Sequence, residues 1–290
     1  GGLKMKTPLM KVDAMVVGGG ISGLQSAVDL ADQGFSVALI EKEPSIGGKM
    51  ISLSKVFPTL DCSSCITTPK MASAAHHPNI TLLTNSELKA LDGEPGRYVA
   101  TVERKPRFVD EGLCIGCRQC EYACPVTVPH AFEGGLGARK AAYIPFSNAI
   151  PQVALLDMES CVLCGRCEQV CPAEAIDFSQ RAEIVEVVAK TVILATGFEP
   201  TSATAKTQYG NGRVPNVLTA LQMERILAPH GPYGRVLRPS DGKVPGSIAY
   251  VQCAGSRDRS LGVPYCSRVC CMFAIKQAML LSGALPLADI

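Results

Sequence analysis

Apolar residues come in short bursts along this chain, and the spacing inside each burst predicts an element. Val12–Val17 is a nearly unbroken apolar run that ends in glycines, as expected of a strand buried on both faces. Ala27 and Leu30 then keep a helical spacing, and Gly34 suits the end of that helix. Phe35–Ile40 predicts a second strand. The segments HPNITLLTNSELKAL and GRYVATVERKPRFV predict further strands, with a turn at 92–96. AEIVEVVAKTVILATG predicts a late return to the same sheet, its strand ending near Ala195. Towards the C-terminus, GSIAYVQCAGSRD predicts a strand ending near Cys253, and CSRVCCMFAIKQAMLL a helix starting near Cys266. The apolar stretch Met272–Ala288 is broken by Lys276, Gln277 and Pro286, which is short of a spanning helix. Strand, helix, strand is the grammar of an α/β fold.

The turn after the first strand carries chemistry. Gly18, Gly20 and Gly23 form G-x-G-x-x-G, opening a helix and followed by an acid, Glu41, at the end of the second strand. The first glycine permits the sharp turn, the second lets the backbone approach a pyrophosphate, and the third lets helix and strand pack closely. The helix N-terminus faces the phosphates, and the acid accepts the adenosine ribose hydroxyls. Gly47 and Gly48 follow the acid, and Ala195-Thr196-Gly197 ends the late strand. This pairing resembles the two-dinucleotide-binding-domain flavoproteins, which include glutathione and thioredoxin reductases. In that class the double glycine and the A-T-G turn lie along FAD. Lys49 has two readings, a positive charge beside the flavin or a solvated lysine.

Fourteen cysteines in 290 residues change the picture most. A secreted disulfide scaffold is usually short and carries a signal peptide, and neither feature is expected here. Gly1 and Gly2 stand where an initiator Met is expected. Cys114, Cys117, Cys120, Cys124 with Pro125, and Cys161, Cys164, Cys167, Cys171 with Pro172, are two copies of C-x2-C-x2-C-x3-C-P. This is the bacterial ferredoxin run, in which the fourth cysteine serves the other cluster. One [4Fe–4S] cluster is therefore expected on Cys114, Cys117, Cys120 and Cys171, and a second on Cys161, Cys164, Cys167 and Cys124. A zinc site would use four ligands in two C-x2-C knuckles, which fits eight cysteines poorly. The stretch 126–160 reads as a folded excursion, and its GLGARK lacks the ending of a phosphate loop.

The expected division is a FAD-binding domain over 10–108 and 181–245, interrupted by a cluster module over 109–180. Residues 246–290 are expected to open a second nucleotide-like domain. The fold class is thus a Rossmann-like FAD-binding domain of the two-dinucleotide-binding-domain flavoprotein type, holding a bacterial-type two-cluster ferredoxin module. Anchoring at two points favours a fixed geometry between clusters and flavin, unlike a module on a loose linker.

Six cysteines remain. On the predicted helix Cys266 and Cys270 share a face, Cys271 is adjacent and Cys253 arrives from the strand end. They read either as a third cluster site or as buried thiols. FPTLDCSSCITTPKM, HPNITLLTNSEL, the two ferredoxin runs and YCSRVCCMFAIKQA together resemble the flavin-bearing A subunit of heterodisulfide reductase. They resemble equally its relatives, including the quinone-interacting oxidoreductase A subunit of sulfate reducers. The resemblance runs from about Val12 to Leu281, with the motifs in the same order. It implies a third [4Fe–4S] on Cys253, Cys266, Cys270 and Cys271, near FAD. It also implies a longer protein: an extra N-terminal domain is missing, and the chain stops at Ile290 where the family continues. Cys62 and Cys65 form a C-x2-C with three readings: a redox pair working with the flavin, cluster ligands, or structural thiols. His76 and His77 read as loop-capping or solvated residues.

Charge narrows the function classes. A net charge of +2 and no basic run interleaved with aromatics argue against nucleic acid. A cytoplasmic location is expected, at the face of a membrane complex where partners provide one. The function expected is a FAD and [4Fe–4S] electron-transfer subunit that links two-electron flavin chemistry to one-electron transfer, with bifurcation as a family analogy. Its expected partners are heterodisulfide-reductase B- and C-like subunits and hydrogenase- or dehydrogenase-type donors. One alternative is a conduit and docking subunit with no substrate of its own. The other is an NAD(P)H-dependent protein like the glutamate synthase small subunit. There the cysteine runs precede the flavin fingerprint, and a second G-x-G-x-x-G is absent here before Ile290.

Overall fold

In the computed structural model, which describes residues 9–202 and 205–290, the chain forms two compact units. Gly1 and Gly2 lie outside the described residues. The first unit holds the residues up to Ile51 together with Thr67–Pro129 and Ala138–Gly197, and the second holds Ser52–Ile66, His130–Gly137 and Phe198–Ile290.

The first unit is built on β1 (Leu9–Val17), α1 (Ile21–Asp32) and β2 (Val37–Ile40), the strand, turn, helix and strand that the apolar pattern predicts. Gly34 adopts φ +90° just past the helix and its N–H donates to Ala31 O, closing the helix as a left-handed glycine does. α2 (Ser63–His76) leads to β3 (Ile80–Leu83), β4 (Ser86–Glu94) and β5 (Arg97–Arg104). His77 caps the loop, its Nδ1 accepting from Asn79 N–H at 3.1 Å.

The chain then leaves the sheet for the cysteine-rich module. There α3 (Gln119–Ala123), β6 (Thr127–Pro129), β7 (Ala138–Lys140), β8 (Ala142–Tyr143), β9 (Leu155–Leu156) and α4 (Arg166–Gln169) are all short. The excursion between the two cysteine runs thus holds two small ladders, β6 with β7 and β8 with β9. β10 (Glu183–Leu194) re-enters the sheet, giving the order β3-β2-β1-β10-β5-β4. The first four strands are parallel, and β5 and β4 form the antiparallel edge of the sheet. Glu183 pairs with Arg104, so the module leaves and rejoins the sheet on adjacent strands.

Met15, Val16, Ala38 and Leu39 are fully buried at the centre of the sheet, and Val185 and Val187 extend that core. The module has its own core of Val109, Ala142, Ile144, Leu156 and Ile176 around Cys120 and Cys167.

The second unit packs α5 (Ala220–Leu227) and α6 (Cys270–Ala284) around Ile226, Val236 and Leu281. Thr219 and Gln222 form a capping box at the start of α5. Two expectations are corrected here. No strand forms up to Cys253: Ser247 makes one isolated bridge to Asp289, and a strand without a neighbouring ladder has nowhere to place its N–H and C=O groups. The helix begins at Cys270 rather than near Cys266, because Arg268 takes φ +60°, a left-handed turn that a helix cannot run through. Among the described residues no helix is long and apolar enough to cross a membrane.

Candidate functional site: a dinucleotide turn beside paired thiol cavities

β1 and β10 end in register, Val17 opposite Leu194, and Ala195 N–H donates to Val17 O at 2.8 Å. This sets the Gly18 turn and the Ala195-Thr196-Gly197 turn side by side at the carboxyl edge of the parallel strands, where open α/β sheets bind ligands. The three motif glycines meet different surroundings. A Cβ on Gly23 would lie 1.8 Å from Gly18 O, so only glycine lets α1 settle against the turn. A Cβ on Gly20 would meet nothing nearer than Gly48 Cα at 3.9 Å, which leaves open the space a pyrophosphate would take.

The double glycine belongs to the same cradle. Gly47 N–H donates to Gly19 O at 2.8 Å, and a Cβ on Gly48 would press within 2.7 Å of Gly20 Cα. Glu41 is buried, accepting from Gly19 N–H at 2.6 Å on one oxygen and from Glu43 N–H at 2.8 Å on the other. Each oxygen keeps a second lone pair for a ribose hydroxyl. Burial raises the Glu41 pKa against these two bonds. Lys49 is half-buried next to Gly48.

The module brings the eight ferredoxin-run cysteines into two cavities, each taking thiols from both runs. One, of about 350 Å³, is lined by Cys114, Cys117, Cys120 and Cys171, with Val109 and Ile176 behind them. The other, of about 320 Å³, is lined by Cys161, Cys164, Cys167 and Cys124, with Leu156 and Phe178. Each C-x2-C step contains one left-handed residue: Gly116, Arg118, Leu163 and Gly165. These turns curl the chain so that successive thiols face one centre.

Ala175 N–H donates to Cys171 Sγ at 3.3 Å and Leu163 N–H to Cys161 Sγ at 3.4 Å, bonds that favour thiolate. Burial, then the neighbouring Cys114, pushes the Cys120 thiol up to about 12. A thiolate at that depth needs a cation beside it, which is what bound iron supplies. Among the described residues no three Cys, His, Asp or Glu side chains meet at the spacing of a single ion. That disfavours zinc and suits a cube, in which each thiolate takes a different iron.

The cavities and the cradle are joined. Ser45 Oγ accepts from Ile150 N–H at 2.8 Å, and Ile46 N–H donates to Ile150 O at 3.0 Å. Arg107, itself buried, donates to Pro44 O and to Thr84 Oγ1, each at 2.6 Å. The loop leading into Gly47 is therefore bonded to the excursion between the two cysteine runs.

Comparison with known proteins agrees. Residues 16–67 match the NAD(P)-binding Rossmann-like domain family, and residues 113–175 the 4Fe-4S dicluster domain family. The chain is 47% identical over 285 residues to the iron-sulfur A subunit of the CoB–CoM heterodisulfide reductase of Methanocaldococcus jannaschii, covering 97% of this chain and 43% of that protein. It is 51% identical over 277 residues to the A subunit of the H2/formate:CoB-CoM heterodisulfide,ferredoxin reductase of Methanococcus maripaludis, covering 95% of this chain and 42% of the relative. This chain belongs to the A-subunit family of heterodisulfide reductase. It spans less than half the length of these relatives.

In this family member the second unit brings Cys253, Cys266, Cys270 and Cys271 into electrostatic reach of one another. Cys270 chiefly, then burial, with smaller contributions from Cys253 and Cys266, raises the Cys271 thiol. Cys266 lies on the loop before the helix, where its sulfur accepts from Arg268 N–H at 3.3 Å. The left-handed Arg268 that ends the predicted helix is thus what turns Cys266 back.

Sequence reasoning missed the buried ionic group of the same unit. Glu224, fully buried, accepts from Lys276 Nζ at 2.7 Å, from Gln277 Nε2 at 2.6 Å, and from the N–H and hydroxyl of Ser54 at 3.0 and 2.8 Å. Arg225 pairs with Glu133 at 2.9 Å. The one signal was Lys276 and Gln277 interrupting an apolar run.

Proposed function

We propose that this member of the heterodisulfide reductase A-subunit family holds FAD and three [4Fe–4S] clusters and conducts electrons between them and partner redox subunits. The joint at Ser45 and Ile150 carries the reading most, because it ties the nucleotide cradle to the cluster module inside one compact unit. When bound, FAD exchanges electrons in pairs and the clusters exchange them singly, which is the chemistry of a split between two acceptors. The residues for FAD are Gly18, Gly20, Gly23, Glu41, Gly47, Gly48, Lys49, Ala195, Thr196 and Gly197. The cluster ligands are Cys114, Cys117, Cys120 and Cys171; Cys161, Cys164, Cys167 and Cys124; and Cys253, Cys266, Cys270 and Cys271.

In this reading 10–108 and 181–245 form the flavin domain, 109–180 the cluster module, and 246–290 the start of a second nucleotide-like domain. The relatives are named for hydrogen or formate as donor and for a heterodisulfide and ferredoxin as acceptors. By that likeness we assign this chain partners of the heterodisulfide-reductase B and C type and a hydrogenase- or dehydrogenase-type donor. Its reduced thiols call for the cytoplasm.

Protein purified without oxygen is expected to contain one FAD and ~12 iron per chain, at ~4 per cube. A colourless protein, or zinc in place of iron, would refute the proposal. The crossed ligand sets have their own test. Cys120→Ser combined with Cys171→Ser should lose ~4 iron, since both serve one cube, whereas Cys120→Ser with Cys124→Ser should lose ~8. The opposite order would mean that each run serves its own cube.

A further inference from the structure

Cys62 and Cys65 remain after twelve cysteines are given to clusters, and their setting differs from that of the rest. Both lie in the second unit, at the foot of a loop closed by an antiparallel bridge between Lys55 and Cys62. Cys62 stands just before α2, and its sulfur accepts Cys65 N–H at 3.3 Å, the bond that a helix-capping residue usually makes through oxygen. Ser64 Oγ is 3.3 Å from the same sulfur. A thiol that receives the free N–H groups of a helix start is favoured as thiolate. Bonding from the Cys65 side chain chiefly, then from Ser64, lowers the Cys62 pKa, while the pairing raises that of Cys65. The two thiols are thus unlike: one is inclined to ionise and the other to keep its proton. Cys65 is exposed and Cys62 half-buried, so a small reactant reaches both.

The loop is also held in place. Ser54 is bonded to Glu224 through its N–H and its hydroxyl, and Ser63 Oγ donates to Leu53 O. Lys276 Nζ donates to Lys55 O at 2.7 Å while pairing with Glu224. Lys276 sits about one and a half turns along the helix that Cys270 and Cys271 begin. A charged pair buried this deeply under a surface loop fixes the loop, and with it the C-x2-C.

We propose that Cys62 and Cys65 form a dithiol that reduces small-molecule disulfides by exchange, with Cys62 as the attacking thiolate and Cys65 as the resolving thiol. The Cys62 sulfur attacks one sulfur of RS–SR′; a Cys62–SR bond forms, the S–S bond breaks, and R′S− leaves and takes a proton from water. Cys65 then gives its proton to water and attacks the Cys62 sulfur, forming the Cys62–Cys65 bond and releasing RS−, which is protonated in turn. The substrate gains two electrons and two protons, and the dithiol loses the same number. Residues three apart on a helix hold their Cβ atoms about 5–6 Å apart, and a disulfide needs about 4 Å. The closure falls on the first turn of α2, where backbone N–H groups have no helical partner and the chain gives most easily.

The test uses the holoprotein, purified without oxygen and exposed to hydroxyethyl disulfide, then acid-quenched, alkylated and digested with trypsin without reductant. Cleavage after Lys55 and Lys70 puts both cysteines on one peptide, 56–70. In the unaltered protein that peptide should pass from doubly alkylated to an internal disulfide, lighter than the dithiol by two hydrogens. With Cys65→Ser it should carry the hydroxyethylthio group on Cys62; with Cys62→Ser, Cys65 should react at least about tenfold more slowly. Iron content should be unchanged in both variants. The inference fails if the native peptide stays doubly alkylated, or if Cys65 reacts equally fast alone. It also fails if either variant loses ~4 iron, which would make these residues cluster ligands. None of these failures alters the iron and flavin content of the unaltered protein, on which the proposed function stands.

Discussion

Lys276→Met is expected to cost about 3–5 kcal/mol of unfolding free energy, seen as a lower urea midpoint by circular dichroism of the holoprotein. Lys276 is 2% and Glu224 0% exposed, so deleting the cation leaves a carboxylate in the interior with only neutral donors, Gln277 and Ser54. Removing both charges, as Lys276→Met with Glu224→Gln, should recover most of the loss, because the desolvated charge is gone while the amide still bonds to its neighbours. An unchanged midpoint in the single variant would show that the pair contributes nothing to stability.

Gly23→Ala should have the other large effect, a loss of bound FAD by more than about tenfold, read as flavin per iron. The added Cβ would sit 1.8 Å from Gly18 O and 3.0 Å from Gly18 C, both backbone atoms that cannot rotate away. α1 must then lift off the turn, and its N-terminus with it. Gly34→Ala is the control: it also places a side chain on a constrained glycine, at φ +90°, but its Cβ would meet nothing within 4 Å. It should cost about 1 kcal/mol of stability and leave the flavin content alone. Equal flavin loss in both variants would mean that packing at Gly23 is not what shapes the cradle.

The parts of this structure that were legible in the sequence depend on near neighbours in the chain. The Gly18 turn and the two ferredoxin runs are local spacings, and the left-handed residues that curl each C-x2-C step lie inside the motif itself. The parts that were not legible depend on distant partners. Ser54 and Glu224 are 170 residues apart, and Ser45 and Ile150 are 105 apart, so no window of sequence displays either pair. Lys276 and Gln277 read as interruptions of an apolar helix face when they are in fact buried partners of Glu224. The helix predicted from Cys266 failed for a local reason that hydrophobic spacing does not encode, the positive φ of Arg268. The strand predicted near Cys253 failed because an extended apolar run becomes a strand only where another edge receives it.

The pairing of Arg104 with Glu183 has a consequence for how such a protein is assembled. β5 and β10 are antiparallel neighbours, so in topological terms the whole cluster module is an overgrown hairpin loop. An Asn-Gly turn would close the same two strands without rethreading the sheet. A redox cassette grafted at such a point can be gained or shed by its host while every other strand keeps its place.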